Sequence, residues 1–215
     1  MESLLNVCDT IPPADREAAV AFFSRLFGEL VRAGDEQAAR PLVVELGSGN
    51  GHFLAEYAAM HREKNFVGTE ILSGRARKLQ AKVGKRNLSN VVVFRGEVRR
   101  FVWEFLYEEM VEEFIALFPD PWPKKRHHKH RLLNRPFIEM LRVRLVQDGV
   151  VSMATDSAEY RDWILGEIGK SGGFTSIFEE GYSSYPADYP ETLFLKRFKE
   201  DGREVNFMRF RKKKA

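Results

Sequence analysis

After Pro12-Pro13, apolar side chains recur at helical spacing: Ala19, Val20, Phe22, Phe23, Leu26, Phe27, Leu30 and Val31. With Asp15 placed to cap the first turn, this predicts an amphipathic helix over residues 15–33. From Pro41 the period changes. Short, continuously apolar runs appear at Leu42–Leu46, Phe66–Ile71, Val91–Phe94, Phe114–Phe118 and Val150–Ala154, separated by helical patterns over 51–62, 73–86, 98–110 and 134–147. Strands apolar on both faces that alternate with helices predict a mostly parallel sheet, covered on both sides and doubly wound: the α/β class. A helix over 157–170 and late strands at Thr175–Phe178 and Val205–Arg211 follow, while Tyr182–Asp201, rich in Tyr and Pro, reads as one long irregular connection. The expected organisation is a helical N-terminal extension, residues 1–40, packed on a domain of residues 41–215.

A chain of 215 residues, 44% of them hydrophobic, is long enough to bury one substantial core. The single cysteine, Cys8, forms no intramolecular disulfide, and the N-terminus lacks a basic-then-apolar signal, so a reducing cytoplasm is expected. No apolar segment approaches the ~20 residues that span a bilayer, so no membrane partner is expected. The net charge of +3 conceals clustering. Cations gather in Ser73–Arg86, in Lys124–Arg131 and in Arg211–Lys214, which leaves the rest of the chain acidic. Such patches suit a polyanion, although each run alone also reads as a solvated face.

The first predicted strand runs into Glu45-Leu46-Gly47-Ser48-Gly49-Asn50-Gly51 and then a helix. The spacing E-x-G-x-G-x-G differs from the dinucleotide fingerprint and resembles the first motif of class I methyltransferases. A glycine-rich turn also arises from packing alone. The second strand ends at Glu70, placed to accept from ribose hydroxyls, and the third is followed by Glu97, which either accepts from an adenine amino group or is simply an exposed turn residue. Acids at three successive strand ends repel a pyrophosphate and favour a neutral or cationic ligand such as S-adenosylmethionine, which argues against a nicotinamide dehydrogenase.

The fourth strand delivers Phe118-Pro119-Asp120-Pro121-Trp122-Pro123-Lys124-Lys125-Arg126-His127-His128-Lys129-His130-Arg131 to the same edge. Prolines restrict their predecessors to extended backbone, so Asp120 and Trp122 are expected on a stiff, extended loop. Trp122 reads as an anchor in the core in preference to a platform for a base. The adjacent histidines lie in a cationic loop without Cys or carboxylate at ligand spacing, so no metal is expected.

This segment resembles the catalytic loop of the tRNA (guanine-N7)-methyltransferase family. The order of motifs extends the resemblance over roughly residues 40–212: the glycine turn, Gly68-Thr69-Glu70, the proline loop, Thr155-Asp156 and Pro190-Glu191-Thr192-Leu193-Phe194. The resemblance implies a Rossmann-like class I methyltransferase fold with a late antiparallel strand. It implies methyl transfer from S-adenosylmethionine to N7 of a guanosine in the tRNA variable loop, position 46 in the family, by a cytoplasmic monomer or homodimer. Glu45, Gly47, Gly49, Gly51, Glu70, Glu97 and Asp120 are the implied cofactor residues, with Asp120 also catalytic. Lys124, Asp156, Thr192, Leu193, Phe194 and Leu195 are implied to hold the guanosine, and Arg126, His127, His128, Lys129, His130 and Arg131 to contact RNA.

Two positions depart from the family pattern. Glu97 stands where Asp is common, and Leu195 stands where the family continues with Glu, removing a carboxylate from the substrate pocket. Guanine N7 carries a lone pair and no proton, so alignment, without a general base, is the expected task. Asp120 and Asp156 are placed to accept from guanine N1–H and N2–H, though Asp156 also reads as a helix N-cap. Methylation of an exocyclic amine, and a non-catalytic RNA-binding or assembly subunit with this fold, are the alternative readings.

Overall fold

The computed structural model describes residues 4–6, 8–28, 40–187 and 189–214. In chain order its elements are β1 (Leu5–Asn6), α1 (Arg16–Phe27), β2 (Leu42–Leu46), α2 (His52–Met60), β3 (Asn65–Glu70), α3 (Ser73–Lys85), β4 (Val91–Arg95) and α4 (Val98–Phe105). They continue as β5 (Val111–Leu117), a 3-10 helix (Lys125–His130), α5 (Arg135–Arg144), β6 (Leu145–Thr155), α6 (Ala158–Ser171), β7 (Phe174–Ser176), α7 (Leu193–Glu200) and β8 (Asn206–Lys212). The strands form one sheet in the order β1-β4-β3-β2-β5-β6-β8-β7. Strands β1 to β6 run parallel, and β8 is the late antiparallel strand, lying between β6 and β7.

Successive side chains of a strand face opposite sides, and here both sides are covered, which explains the continuously apolar runs. Val44, Phe114 and Ala116 join a core with Phe23, Phe101, Phe105 and Phe137 of α1, α4 and α5. Their neighbours Val43 and Ile115 join the opposite core with Phe53, Leu54, Leu79 and Val83 of α2 and α3. Strand order reverses between β2 and β5, and a sheet of this kind opens its ligand crevice at the carboxyl ends of the strands flanking that switch.

Asp15 caps α1 as expected, accepting from the Ala18 N–H at 2.8 Å. The helix stops sooner than expected. Gly28 takes a left-handed φ of 68° and donates its N–H to the Ser24 and Arg25 carbonyls, closing the helix after Phe27. Leu30 and Val31 lie outside the described residues.

The connection Tyr182–Asp201, read as irregular, contains α7. Thr192 caps it by accepting from the Leu195 N–H at 3.0 Å. Strand β1, only two residues long, extends the sheet beyond β4 and was also not foreseen. Among the described residues no helix is long and apolar enough to cross a membrane.

Candidate active site

The turn after β2 is built from left-handed glycines: Gly47, Gly49 and Gly51 have φ of 85°, 54° and 71°. They serve two ends. A Cβ on Gly51 would sit 2.2 Å from Cδ1 of Leu79, so that glycine lets α2 pack on α3, whereas Cβ atoms on Gly47 or Gly49 would meet open space. Packing therefore accounts for Gly51, while Gly47 and Gly49 leave the outer face of the turn open. Thr69 braces it, its hydroxyl accepting from the Gly47 N–H at 3.2 Å and donating to the Glu45 carbonyl at 3.0 Å. The Lys82 ammonium donates to the Asn50 carbonyl at 2.8 Å, so this cation of the Ser73–Arg86 run is spent on the turn. Arg86 ties α3 to the Ala55 carbonyl and to Glu56, leaving Arg75, Arg77, Lys78 and Lys85 exposed on α3.

Glu45 lies below this turn, only 3% exposed, and its Oε2 has no hydrogen-bond partner. Burial pushes its pKa up to about 7, opposed by the Ser48 hydroxyl and reinforced by the negative charge of Glu70. Glu70, at the end of β3, is also buried and accepts from the Leu72 N–H at 2.8 Å through Oε1. Glu97 is exposed and caps α4, accepting from the Arg100 N–H at 2.8 Å.

Asp120 is exposed on the loop that leaves β5, across the switch point from Glu45. The loop is not extended as the prolines predicted. Two of its three pre-proline residues, Phe118 and Trp122, take left-handed φ of 54° and 44°. Such backbone costs about 1–3 kcal/mol per residue and persists only where its surroundings enforce it. Here the Phe118 ring packs against Phe198 and Phe194 of α7, with centroids 5.1 and 6.5 Å apart. The half-buried Trp122 ring sits against His127 and His130, at 5.8 and 5.3 Å.

Asp156, at the end of β6, is partly buried and accepts from Nη1 of Arg203 at 2.9 Å. It is not a helix cap: Ser157 caps α6, accepting from the Tyr160 N–H at 3.2 Å. The carboxyl ends of β2, β3, β5 and β6 thus present Glu45, Glu70, Asp120 and Asp156 along one edge, with the open face of the glycine turn among them.

A family model described as "Putative methyltransferase" matches residues 39–208. The chain is 36% identical over 174 residues to a tRNA (guanine-N(7)-)-methyltransferase of Thermotoga maritima, covering 80% of this chain and 54% of that protein. It is 32% identical over 173 residues to one of Alkalilimnicola ehrlichii, covering 80% of this chain and 73% of the relative. The chain belongs to the tRNA (guanine-N7)-methyltransferase family. It spans about half the length of the Thermotoga relative. An rRNA methylase from Streptococcus thermophilus shares the fold, with a TM-score of 0.56 at 13% identity, covering 81% of this chain and 88% of that one.

Set against this membership, three expectations need correction. Arg131, grouped with the RNA-contacting residues, is fully buried and points away from solvent. The cations of Arg211–Lys214 lie at the far edge of the sheet, because β8 runs antiparallel to β6: Lys212 donates to the Leu145 carbonyl at 2.7 Å, at the start of β6. They do not share a surface with the proline loop. Leu195, where the resemblance led to the expectation of a glutamate in the substrate pocket, is 3% exposed in the first turn of α7.

Thr192 is buried and its hydroxyl is used as the cap, while Phe194 stays 57% exposed. Leu193 opens α7, and its side chain is outside the description. Lys124, Arg126, Lys129 and His130 are exposed on the loop and its 3-10 helix, and His127 and His128 are half-buried. Sequence reasoning missed Arg203 and Glu159, the partners of Asp156 and Arg131. Each is one of several charges in a mixed-charge stretch, so nothing in its spacing marks it.

Proposed function

We propose that this chain transfers a methyl group from S-adenosylmethionine to N7 of a guanosine in tRNA, the variable-loop guanosine at position 46 in the family, as a cytoplasmic monomer or homodimer. The observation that carries the reading is Glu45: a buried carboxylate oxygen without a partner, at the switch-point end of β2 and below an open glycine turn. An orphaned buried acceptor lacks a donor, and the ammonium of a cationic cofactor supplies one. The donor set fits the group. Glu70, with one oxygen held by Leu72, leaves the other for ribose hydroxyls, and Glu97 stands at the next strand end, toward the adenine. The cofactor supplies an electrophilic methyl group on a sulfonium.

The chain's own residues then have alignment as their task. N7 bears no proton, so no side chain needs to act as general base. Asp120, presented by the loop after β5, faces the reacting edge, and Asp156 accepts from the N–H groups that guanine carries and adenine lacks. Selecting and orienting the base in this way contributes to the barrier through proximity, a term worth up to about 7–11 kcal/mol in well-aligned cases. The exposed cations of α3 and of the 3-10 helix supply phosphate contacts that position the RNA without reading its sequence. With Leu195 buried, Asp156 is the acid left to read guanine.

The test is to incubate the protein with S-adenosylmethionine and unmodified tRNA and to identify the modified nucleoside in the digest. The expected product is 7-methylguanosine. N6-methyladenosine would instead select the exocyclic-amine reading, and cofactor binding without any product would select a non-catalytic RNA-binding role.

A further inference from the structure

Arg131 is the largest fully buried side chain of the described residues, and burying a guanidinium is costly unless it is paired; here Nε and Nη2 are paired while Nη1 has no hydrogen-bond partner. Its Nε donates to the Pro121 carbonyl at 2.9 Å, and its Nη2 is shared between the Trp122 carbonyl at 3.5 Å and Oε2 of Glu159 at 2.5 Å. The guanidinium carbon stands 5.1 Å from the Tyr160 ring centre and 4.8 Å from that of Trp163. The Arg131 carbonyl is held in turn by Arg99 at 2.8 Å and Asn134 at 3.2 Å.

The two carbonyls belong to the residues directly after Asp120. Glu159, Tyr160 and Trp163 belong to the first turns of α6, which starts two residues after Asp156. One planar side chain therefore joins the loop of the methyl-transfer acid to the helix that follows the guanine-reading acid. It also meets the inward-turned carbonyls that the left-handed φ of Trp122 helps to present.

We propose that Arg131 is a positioning residue, setting the geometry of Asp120 relative to Asp156 through its fork on the Pro121 and Trp122 carbonyls and its anchor on Glu159. This rests on the functional reading above. Its chemistry needs arginine: lysine offers a single point charge and cannot span two carbonyls and a carboxylate in one plane. A displacement near 1 Å in such a site costs about 100-fold in rate.

The experiment compares wild type, Arg131→Lys, Glu159→Gln and Asp120→Asn in single-turnover methylation of tRNA. Cofactor stoichiometry by calorimetry and the salt dependence of tRNA affinity are measured alongside. Arg131→Lys is expected to lower the rate at saturating tRNA about 100-fold. Cofactor stoichiometry should stay at one per chain, and the salt slope should not change, because a buried guanidinium neutralises no phosphate. Glu159→Gln, on a half-exposed side chain that tolerates change, is expected to lower the same rate by a smaller factor. A raised KM for tRNA with an unchanged saturating rate, or a shallower salt slope, would make Arg131 an RNA contact and overturn the proposal. If Arg131→Lys fails to fold, an unchanged rate in Glu159→Gln overturns the anchor, and a lowered one upholds it. Full turnover by Asp120→Asn would remove Asp120 as the catalytic acid and overturn the proposal with it, whereas wild-type protein that forms no 7-methylguanosine would defeat the functional reading on which the proposal stands.

Discussion

The guanidinium of Arg203 lies 2.9 Å from the carboxylate of Asp156, so the acid at the end of β6 is already paired before any base reaches it. Arg203 comes from the turn between α7 and β8, which ties the segment around Thr192 to the strand edge. The pair is partly exposed, and exposed pairs contribute about 0–1 kcal/mol to stability, so Arg203→Ala should leave the thermal midpoint nearly unchanged. Asp156→Asn should raise the KM for tRNA by at least about tenfold, the loss of one charged hydrogen bond, with cofactor affinity intact. Equal KM values for the variant and wild type would remove Asp156 from guanine recognition.

Glu45 makes cofactor binding depend on pH. Its pKa in the cofactor-free fold is raised to about 7 from 4.5, chiefly by burial. A raised carboxyl pKa means that the fold favours the proton. Stability from this group is therefore full below 4.5 and declines as pH rises to about 7, by roughly 3 kcal/mol at most, then levels off. An incoming ammonium prefers the ionised carboxylate, so cofactor affinity should rise with pH through about 7 and fall again once the amino group itself loses its proton, near about 8. Calorimetry at several pH values checks this, and binding at or below neutral pH should release a proton to buffer. Affinity that does not vary between about pH 6 and 8 would contradict the role given to Glu45.

The two ends served by the glycine turn are separable by mutation. Gly51→Ala combines a left-handed φ with a methyl group driven into Leu79, and should destabilise the fold by about 2–4 kcal/mol. Gly49→Ala faces open space and should cost only the backbone strain, about 1–2 kcal/mol, while weakening cofactor binding. Denaturant melts with and without S-adenosylmethionine distinguish them. Equal stability losses would mean that Gly49 is also packed.

RNA affinity should fall steeply with salt, by roughly 0.7–0.9 in logarithmic slope for each phosphate neutralised. Replacing Lys125 and Lys129, exposed on the 3-10 helix, should flatten that slope. Replacing Arg211 and Lys213 at the opposite edge should not, and a change of slope there would place RNA on the far side of the sheet.

Much of this arrangement was legible in the sequence because parallel strands buried on both faces must be continuously apolar, as Val43, Val44, Phe114 and Ile115 are. Glu45, Glu70 and Asp156 were placed at strand ends by the same pattern. Helix α7 was missed because Tyr and Pro dominate the segment before it, although Thr192 followed by Leu195 and Phe198 was a readable cap and stripe. The end of α1 at Gly28 was similarly readable as a C-cap. The burial of Arg131 was not legible. In sequence it is the last cation of a basic run, and only the packing of α6 against the loop shows that its donors turn inward.

Asp120 is exposed, so Asp120→Ala should leave the fold intact while lowering turnover on tRNA by orders of magnitude. Near-normal turnover would place the reacting acid elsewhere on the strand edge.

The most direct test of the central claim is chemical mapping. Unmodified tRNA is incubated with wild-type protein and S-adenosylmethionine, reduced with borohydride and cleaved with aniline, which breaks the chain at 7-methylguanosine. The account predicts a single cut at the variable-loop guanosine, absent when Asp120→Ala replaces wild type. An intact chain, or a cut that persists in the variant, would contradict it.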